Sequence, residues 1–208
     1  MTIQTSAVSD PATLAAGWNG SLPVLRSEGV TLRELRFSDA RSLFSLLTTE
    51  EMTCFTASPP TTLEGFERFI TWSQREHEAG RCVWFAVVPD GQGAAIGLFQ
   101  IRQLQPSCDT AEWRFALGPA FWGSGLFVKG AELVIEFAFE VVGTHRLEAR
   151  AALQNGRGNS ALRKIGAVEE GILRQSFLRG GQHHDQSLWS ILREDWYRSK
   201  AVWGSKAS

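Results

Sequence analysis

The sequence predicts a mixed α/β domain, a mostly antiparallel central sheet with helices on both faces, and three observations predict it. Strand-like and helix-like periods succeed one another in the order β-α-α-β-β-β-α-β-α-β-β over residues 29–197. Thr110 to Leu117 alternates cleanly, with Ala111, Trp113, Phe115 and Leu117 on one side and Thr110, Glu112, Arg114 and Ala116 on the other. A glycine pair, Gly123 and Gly125, then opens a long amphipathic run.

The elements follow in order. Residues 1–28 are small and polar and read as a flexible extension, with Trp18 and Leu22 available for packing. Val30–Arg36 has strand composition. Ser38 is a helix cap with Asp39 in the first turn, and Leu43, Leu46 and Leu47 share one side. Pro59-Pro60 interrupts the chain. Thr61 and Glu64 then have capping-box spacing ahead of Leu63, Phe66, Phe69 and Ile70. Val83–Val88 and Ala94–Ile101 flank the turn Pro89-Asp90-Gly91 as a hairpin.

The long helix is expected over about Ser124–Val142, with Phe127, Ala131, Val134, Ala138 and Val141 as its buried stripe. His145–Ala152 is a strand. Asn155–Ile165 is a loop and short helix closed by Gly166. Val168–Leu178 and Ser187–Leu192 are the last strands, around Gly180-Gly181. Residues 198–208 read as a loose basic tail.

Composition excludes several classes. The chain has 208 residues, net charge −1 and 43% hydrophobic residues, which suits a single packed domain and not a disordered chain. That charge argues against a broad nucleic-acid footprint and against a polybasic membrane surface. No apolar run approaches a spanning helix, and Met1–Asp10 lacks the pattern of a secretory signal. Cys54, Cys82 and Cys108 are odd in number and lack metal-ligand spacing, so they read as reduced thiols of a cytoplasmic protein.

Chemistry points to the loop Trp122-Gly123-Ser124-Gly125-Leu126-Phe127. Two glycines let backbone N–H groups approach a ligand closely, and the helix start leaves N–H groups unpaired at its positive end. The result suits a diphosphate. The spacing is neither that of the dinucleotide fingerprint nor that of a Walker loop. On the glycines alone, a plain turn before a core helix stays open.

The ordered set of motifs resembles the GNAT acetyltransferases, in particular the RimJ/RimL-type N-terminal acetyltransferases. Four segments carry the likeness: Thr31-Leu32-Arg33 with Ser38-Asp39-Ala40; Ala111-Glu112-Trp113-Arg114-Phe115-Ala116-Leu117 followed by Phe121-Trp122-Gly123-Ser124-Gly125; His145-Arg146-Leu147-Glu148-Ala149 with Asn155 and Lys164-Ile165-Gly166; and Glu170-Gly171-Ile172-Leu173-Arg174 with Gly181, Asp185 and Trp189-Ser190-Ile191-Leu192. The resemblance implies a V-shaped split between two parallel strands, Thr110–Leu117 and His145–Ala152. It implies that acetyl-coenzyme A lies in that split, its pantetheine paired with the strand edge at Phe115, Ala116 and Leu117. The pyrophosphate would rest on the backbone from Trp122 through Gly123, Ser124, Gly125 and Leu126 to Phe127. Asn155 would stand near the cofactor thiol, and Arg157 and Asn159 would contact phosphate or adenosine. The acceptor implied is a primary amine, on a peptide N-terminus or a small molecule.

Two residues depart from the family pattern. Phe127 stands where a small residue is usual, which leaves core packing or crowding of the cofactor open, and Lys129 stands where Glu is usual. Both keep a non-catalytic acyl-CoA-binding module in view as the alternative. Gly158 stands where Ser is common.

Transfer from a thioester to an amine needs a neutral amine, so a base or a water chain must take a proton. Glu112 is the first candidate base; the alternative is an ion pair with Arg114 on the same strand face. Glu148 is the lesser candidate, with Arg146 and Arg150 beside it. His183-His184-Asp185 reads more simply as a turn than as a metal shell, and no metal is expected. Direct transfer gives Cys54 no nucleophilic role, and Trp72, Trp84 and Trp189 read as core. Aromatic content and the resemblance together leave room for a homodimer.

Overall fold

A computed structural model describes residues 21–53, 60–105 and 109–204, so Trp18, Cys54 and Cys108 lie outside the described residues. The strands are β1 (Leu25–Ser27), β2 (Val30–Glu34), β3 (Cys82–Pro89), β4 (Gly97–Gln103), β5 (Thr110–Leu117), β6 (Arg146–Ala152), β7 (Val168–Arg179) and β8 (Gln182–Leu192). The helices are α1 (Ala40–Leu47), the short α2 (Glu50–Thr53), α3 (Leu63–Glu78), α4 (Leu126–Phe137), α5 (Gly156–Lys164) and α6 (Arg193–Gly204). The strands make one sheet in the order β1-β2-β3-β4-β5-β6-β8-β7. Every neighbouring pair is antiparallel except β5 and β6.

That parallel pair creates the central feature. Its ladder holds only Thr110 opposite Arg146, Ala111 opposite Leu147 and Glu112 opposite Glu148. From Trp113 and Ala149 onward the two strands diverge, while each stays paired to its outer neighbour. The outer ladders hold the strands open, so the split does not depend on a ligand.

Two cores lie on the two faces. Val83, Phe85, Phe99, Trp113, Leu147 and Ile191 pack with Val134, Ile135 and Phe139 of the α4 side. Leu35, Leu43, Phe66, Ile70, Ala86 and Leu98 pack on the α1 and α3 side. Strand alternation sorts the side chains: Phe85 and Val87 go to one core, Ala86 and Val88 to the other. Phe85, Phe99 and Trp113 are fully buried, and each contributes roughly 2–3 kcal/mol of transfer free energy.

The opening motif has a concrete task. Arg33 on β2 and Asp39 ahead of α1 form a buried two-pronged pair at 2.7 and 2.8 Å, and Asp39 Oδ2 also accepts from the Arg36 N–H. The cap expected at Ser38 is therefore corrected: a 3-10 turn, Phe37–Asp39, precedes α1, and Asp39 is its cap residue. Likewise Thr62, not Thr61, caps α3 by accepting from Gly65 N–H at 3.0 Å.

Four further differences stand out. β1 was not foreseen, because a three-residue strand carries too short a period to read. α4 begins at Leu126, two residues after the expected start, because Ser124 and Gly125 are still in the loop. It then widens into a π-helical turn over Ala138–Val142, which rotates the following side chains, so Val141 is 37% exposed and Phe139 and Val142 are buried instead. α6 continues to Gly204, where a loose tail from residue 198 was expected, and Trp196 anchors it in the core.

Candidate active site

The site begins at the loop after β5. Gly118-Pro119 ends the strand and a 3-10 turn follows over Pro119–Phe121. The Trp122 indole N–H donates to the Leu117 carbonyl at 2.7 Å, folding the loop back onto the strand end. Gly123 and Gly125 take left-handed backbone, φ 78° and 82°. Open space surrounds both, so it is the backbone turn that selects glycine there. The Ser124 hydroxyl donates to the Phe121 carbonyl at 2.7 Å and tightens the turn.

This loop leaves donors free. The backbone N–H groups of Gly123, Gly125, Phe127 and Val128 make no hydrogen bond among the described residues. All four of these residues line one cavity of about 630 Å³. Its walls also include Phe115, Ala116, Leu117 and Trp122, and from α5 and its cap Asn155, Gly156, Arg157, Gly158, Ser160, Ala161 and Lys164. Phe127 and Val128 come from the α4 side, whereas Met52 belongs to the opposite core, so the cavity reaches through the split to the far face of the sheet.

Most residues expected at the site come together here: Phe115, Ala116, Leu117, Trp122, Gly123, Gly125, Phe127, Asn155 and Arg157. Phe127 packs on Phe115 at 4.7 Å and Phe99 at 5.9 Å between ring centroids, so it joins the wall and leaves the cavity open. Lys129 turns away and donates to the Glu28 carbonyl at 2.9 Å. Arg157 lies across the mouth, its guanidinium 3.9 Å from the Trp122 ring centroid.

Asn155 caps α5. Its Oδ1 accepts from Gly158 N–H at 2.8 Å, while Nδ2 has no partner among the described residues. Gly158 is glycine for a steric reason: a Cβ there would lie 2.6 Å from Asn155 Nδ2.

The remaining expected residues stand outside the cavity wall. Asn159 faces away from the cavity, since Nδ2 donates to the carbonyls of Ala152 and Asn155 and Oδ1 accepts from Trp189 Nε1 at 2.9 Å. Its side chain is spent on holding α5 to β8. Ser124 and Leu126 are not in the cavity wall; the first locks the loop and the second packs toward the core. Glu112 is 1% exposed and sits at the closed end of the split, outside the wall. It accepts from Arg102 at 2.6 Å and from Arg114 at 3.1 Å. Burial pushes its carboxyl pKa up, but the hydrogen bonds and charges of the two arginines outweigh that and hold it below the usual carboxylate range. The geometry is that of the ion-pair alternative, with Arg102 as a partner the strand sequence did not reveal.

Glu148 is likewise engaged, by Arg146 at 2.9 Å. Arg146 also reaches Glu170, whose pKa is pulled down to about 2 by that bond and by the Ser190 hydroxyl. Asp185 accepts from Gln175 N–H, and His184 lies beside Phe177. No group of three or more His, Cys, Asp or Glu side chains among the described residues is placed to hold a metal ion. Among the described residues no helix is long and apolar enough to cross a membrane.

Sequence reasoning missed Val128, Gln154, Gly156, Gly158, Ser160, Ala161 and Lys164. A signal existed for α5: Arg157, Ser160, Ala161 and Lys164 share one helix face by spacing. The segment that begins at Met52 was expected to border the acceptor pocket, and Met52 lines the cavity.

Comparison with known proteins agrees with this architecture. The family described as "Acetyltransferase (GNAT) domain" matches residues 30–168. The uncharacterized N-acetyltransferase YoaA of Bacillus subtilis is 24% identical over 174 residues, 82% of this chain and 97% of that protein. A spermidine N(1)-acetyltransferase of Vibrio cholerae is 23% identical over 164 residues, 79% of this chain and 93% of the other. Among solved structures, Mycobacterium smegmatis RimJ in complex with CoA-disulfide superposes with a TM-score of 0.75 at 20% identity, covering 86% of this chain and 90% of RimJ.

Proposed function

The chain belongs to the GNAT acetyltransferase family, and from that premise we propose that it moves an acetyl group from acetyl-coenzyme A to a primary amine by direct attack. The observation that carries this reading is four unpaired N–H groups on residues that line a cavity running through the sheet at the diverging strands. Such donors fit a diphosphate. The CoA compound bound to the RimJ relative supports the same choice of ligand.

In this reading the pyrophosphate rests on the N–H groups of Gly123, Gly125, Phe127 and Val128. The pantetheine runs along Phe115, Ala116 and Leu117 and pairs with their strand edge as an added strand would. Asn155 Nδ2 supplies a donor on the opposite wall, and Arg157 supplies a cation at the mouth. Acetyl-coenzyme A would bring the thioester, whose carbonyl is open to attack and whose thiol leaves. Binding it beside the split holds the amine and the carbonyl together, the entropic part of the rate enhancement.

Proton removal falls to solvent. Among the described residues the cavity wall holds no Asp, Glu, His, Cys or Tyr side chain. The one tyrosine, Tyr197, donates to Glu140, and burial followed by that carboxylate raises its pKa to about 12. A neutral amine is then drawn from solution, so the rate should climb with pH toward the amine's own pKa.

The test mixes the protein with acetyl-coenzyme A and a panel of peptides and small amines while free thiol is followed. Thiol release that requires an amine supports the proposal. Absence of a heat of binding or a thermal shift with any acyl-coenzyme A overturns it.

A further inference from the structure

The proposed transfer leaves the acceptor unnamed, and the far mouth of the split narrows it. Strand alternation places Arg102, Glu112 and Arg114 on the sheet face away from α4, and the parallel register puts Glu148 and Arg150 on that same face. Glu112 and Glu148 are the last paired residues. Arg114 and Arg150 are the next ones along this face, one on each side of the opening.

Their charges are not cancelled. Arg114 shares the single carboxylate of Glu112 with Arg102, and half of its side chain is exposed. Arg146 takes both Glu148 and Glu170. Arg150 is exposed and has no partner among the described residues. Four arginines thus face three glutamates, each glutamate already engaged, and the surplus lies at the mouth.

A second observation points the same way. Trp84, Gln100 and Arg114 are register neighbours across β3, β4 and β5. Gln100 is only 3% exposed, yet its Oε1 accepts no hydrogen bond among the described residues. Buried polar atoms without partners are costly unless something completes them. Here the Gln100 oxygen stands in register with Arg114.

We infer that the acceptor is an amine whose molecule also carries an anionic oxygen group, a carboxylate or a phosphate, received by Arg114 and Arg150 at the far mouth of the split. Guanidinium forks suit both anions. The amine then faces the cavity. A polycation meets like charge at the same place, so this chain departs from its spermidine-acetylating relative in acceptor choice. The inference rests on the acetyl-transfer reading above.

The test compares matched acceptors in the thiol-release assay: an Asp-Ala dipeptide against Asn-Ala amide, phosphoethanolamine against ethanolamine, and spermidine. The two matched pairs separate carboxylate from phosphate. Arg150→Gln and Arg150→Glu are measured alongside; the side chain is exposed and unpaired, so both variants should fold as the parent does. The expected result is a preference of about tenfold or more for one anionic acceptor, the worth of a charge-assisted hydrogen bond. Arg150→Gln should erase most of it through acceptor KM with acetyl-coenzyme A KM unchanged, and Arg150→Glu should turn the preference toward spermidine. Turnover that favours neutral amines or spermidine in the parent, or a preference that Arg150→Glu leaves unmoved, overturns the inference while acetyl transfer stands. No thiol release with any amine overturns the transfer reading and this one with it.

Discussion

Replace Gly125 with Ala, Val and Asn, and the reason for glycine in the loop becomes measurable. Gly125 has φ 82°, and a Cβ built there meets nothing within 4 Å. A steric account therefore predicts no penalty for any of the three. A backbone account predicts a penalty that follows left-handed tolerance: about 1–2 kcal/mol for Ala, more for β-branched Val, and least for Asn. The cost falls on the loop conformation that leaves the N–H groups of Gly123, Gly125, Phe127 and Val128 unpaired at the cavity wall. If the loop relaxes when free and must be strained on binding, roughly 1–2 kcal/mol becomes about a 5- to 30-fold rise in acetyl-coenzyme A KM. If it stays strained, the same energy lowers Tm by about 2–8 °C for a chain of this size. Thiol release at varied acetyl-coenzyme A and thermal melts separate the two. The reasoning fails if Asn is as harmful as Val, or if all three match the parent in both assays.

Three other variants test other contacts of the fold. Glu112→Gln should lower the denaturation midpoint by an amount matching a few kcal/mol, because Arg102 and Arg114 lose their shared carboxylate, while kcat falls less than about tenfold; a loss of several hundredfold in a fully folded variant would restore Glu112 as the base. Asp39→Asn should cost about 3–5 kcal/mol in urea unfolding, since it leaves the Arg33 guanidinium buried without its counter-charge; a change below about 1 kcal/mol would show that Arg33 reaches water. Gly158→Ala should push the Asn155 amide from its place at the cavity wall and raise acetyl-coenzyme A KM several-fold with little change in Tm, and Asn155→Ala should add little on top of it, which a double-mutant cycle reads directly.

How far the sequence reached depends on the range of the interaction behind each feature. β5 was read to the residue because its alternation is strict and both faces are committed. The glycine loop was legible because left-handed backbone favours glycine over other residues. The resemblance brought the order of the motifs and hence the split. Glu112 was different: Arg114 is two residues away and visible, but Arg102 lies on a neighbouring strand, and only sheet register puts it 2.6 Å from the carboxylate. Asn159 fails for a like reason, because Trp189, 30 residues on, claims its amide. The phase slip at Ala138–Val142 escaped because a π-helical turn has no composition of its own.

The sequence by itself determined the element types, the αL glycines and the amphipathic faces, since these follow from local sterics and periodicity. The tertiary structure alone decided which charges are cancelled and which walls meet, because pairing depends on distance in space. It brought α2 and α5 to one cavity, spent Glu112 and Asn159 on structure, and left Arg150 unpaired at the far mouth.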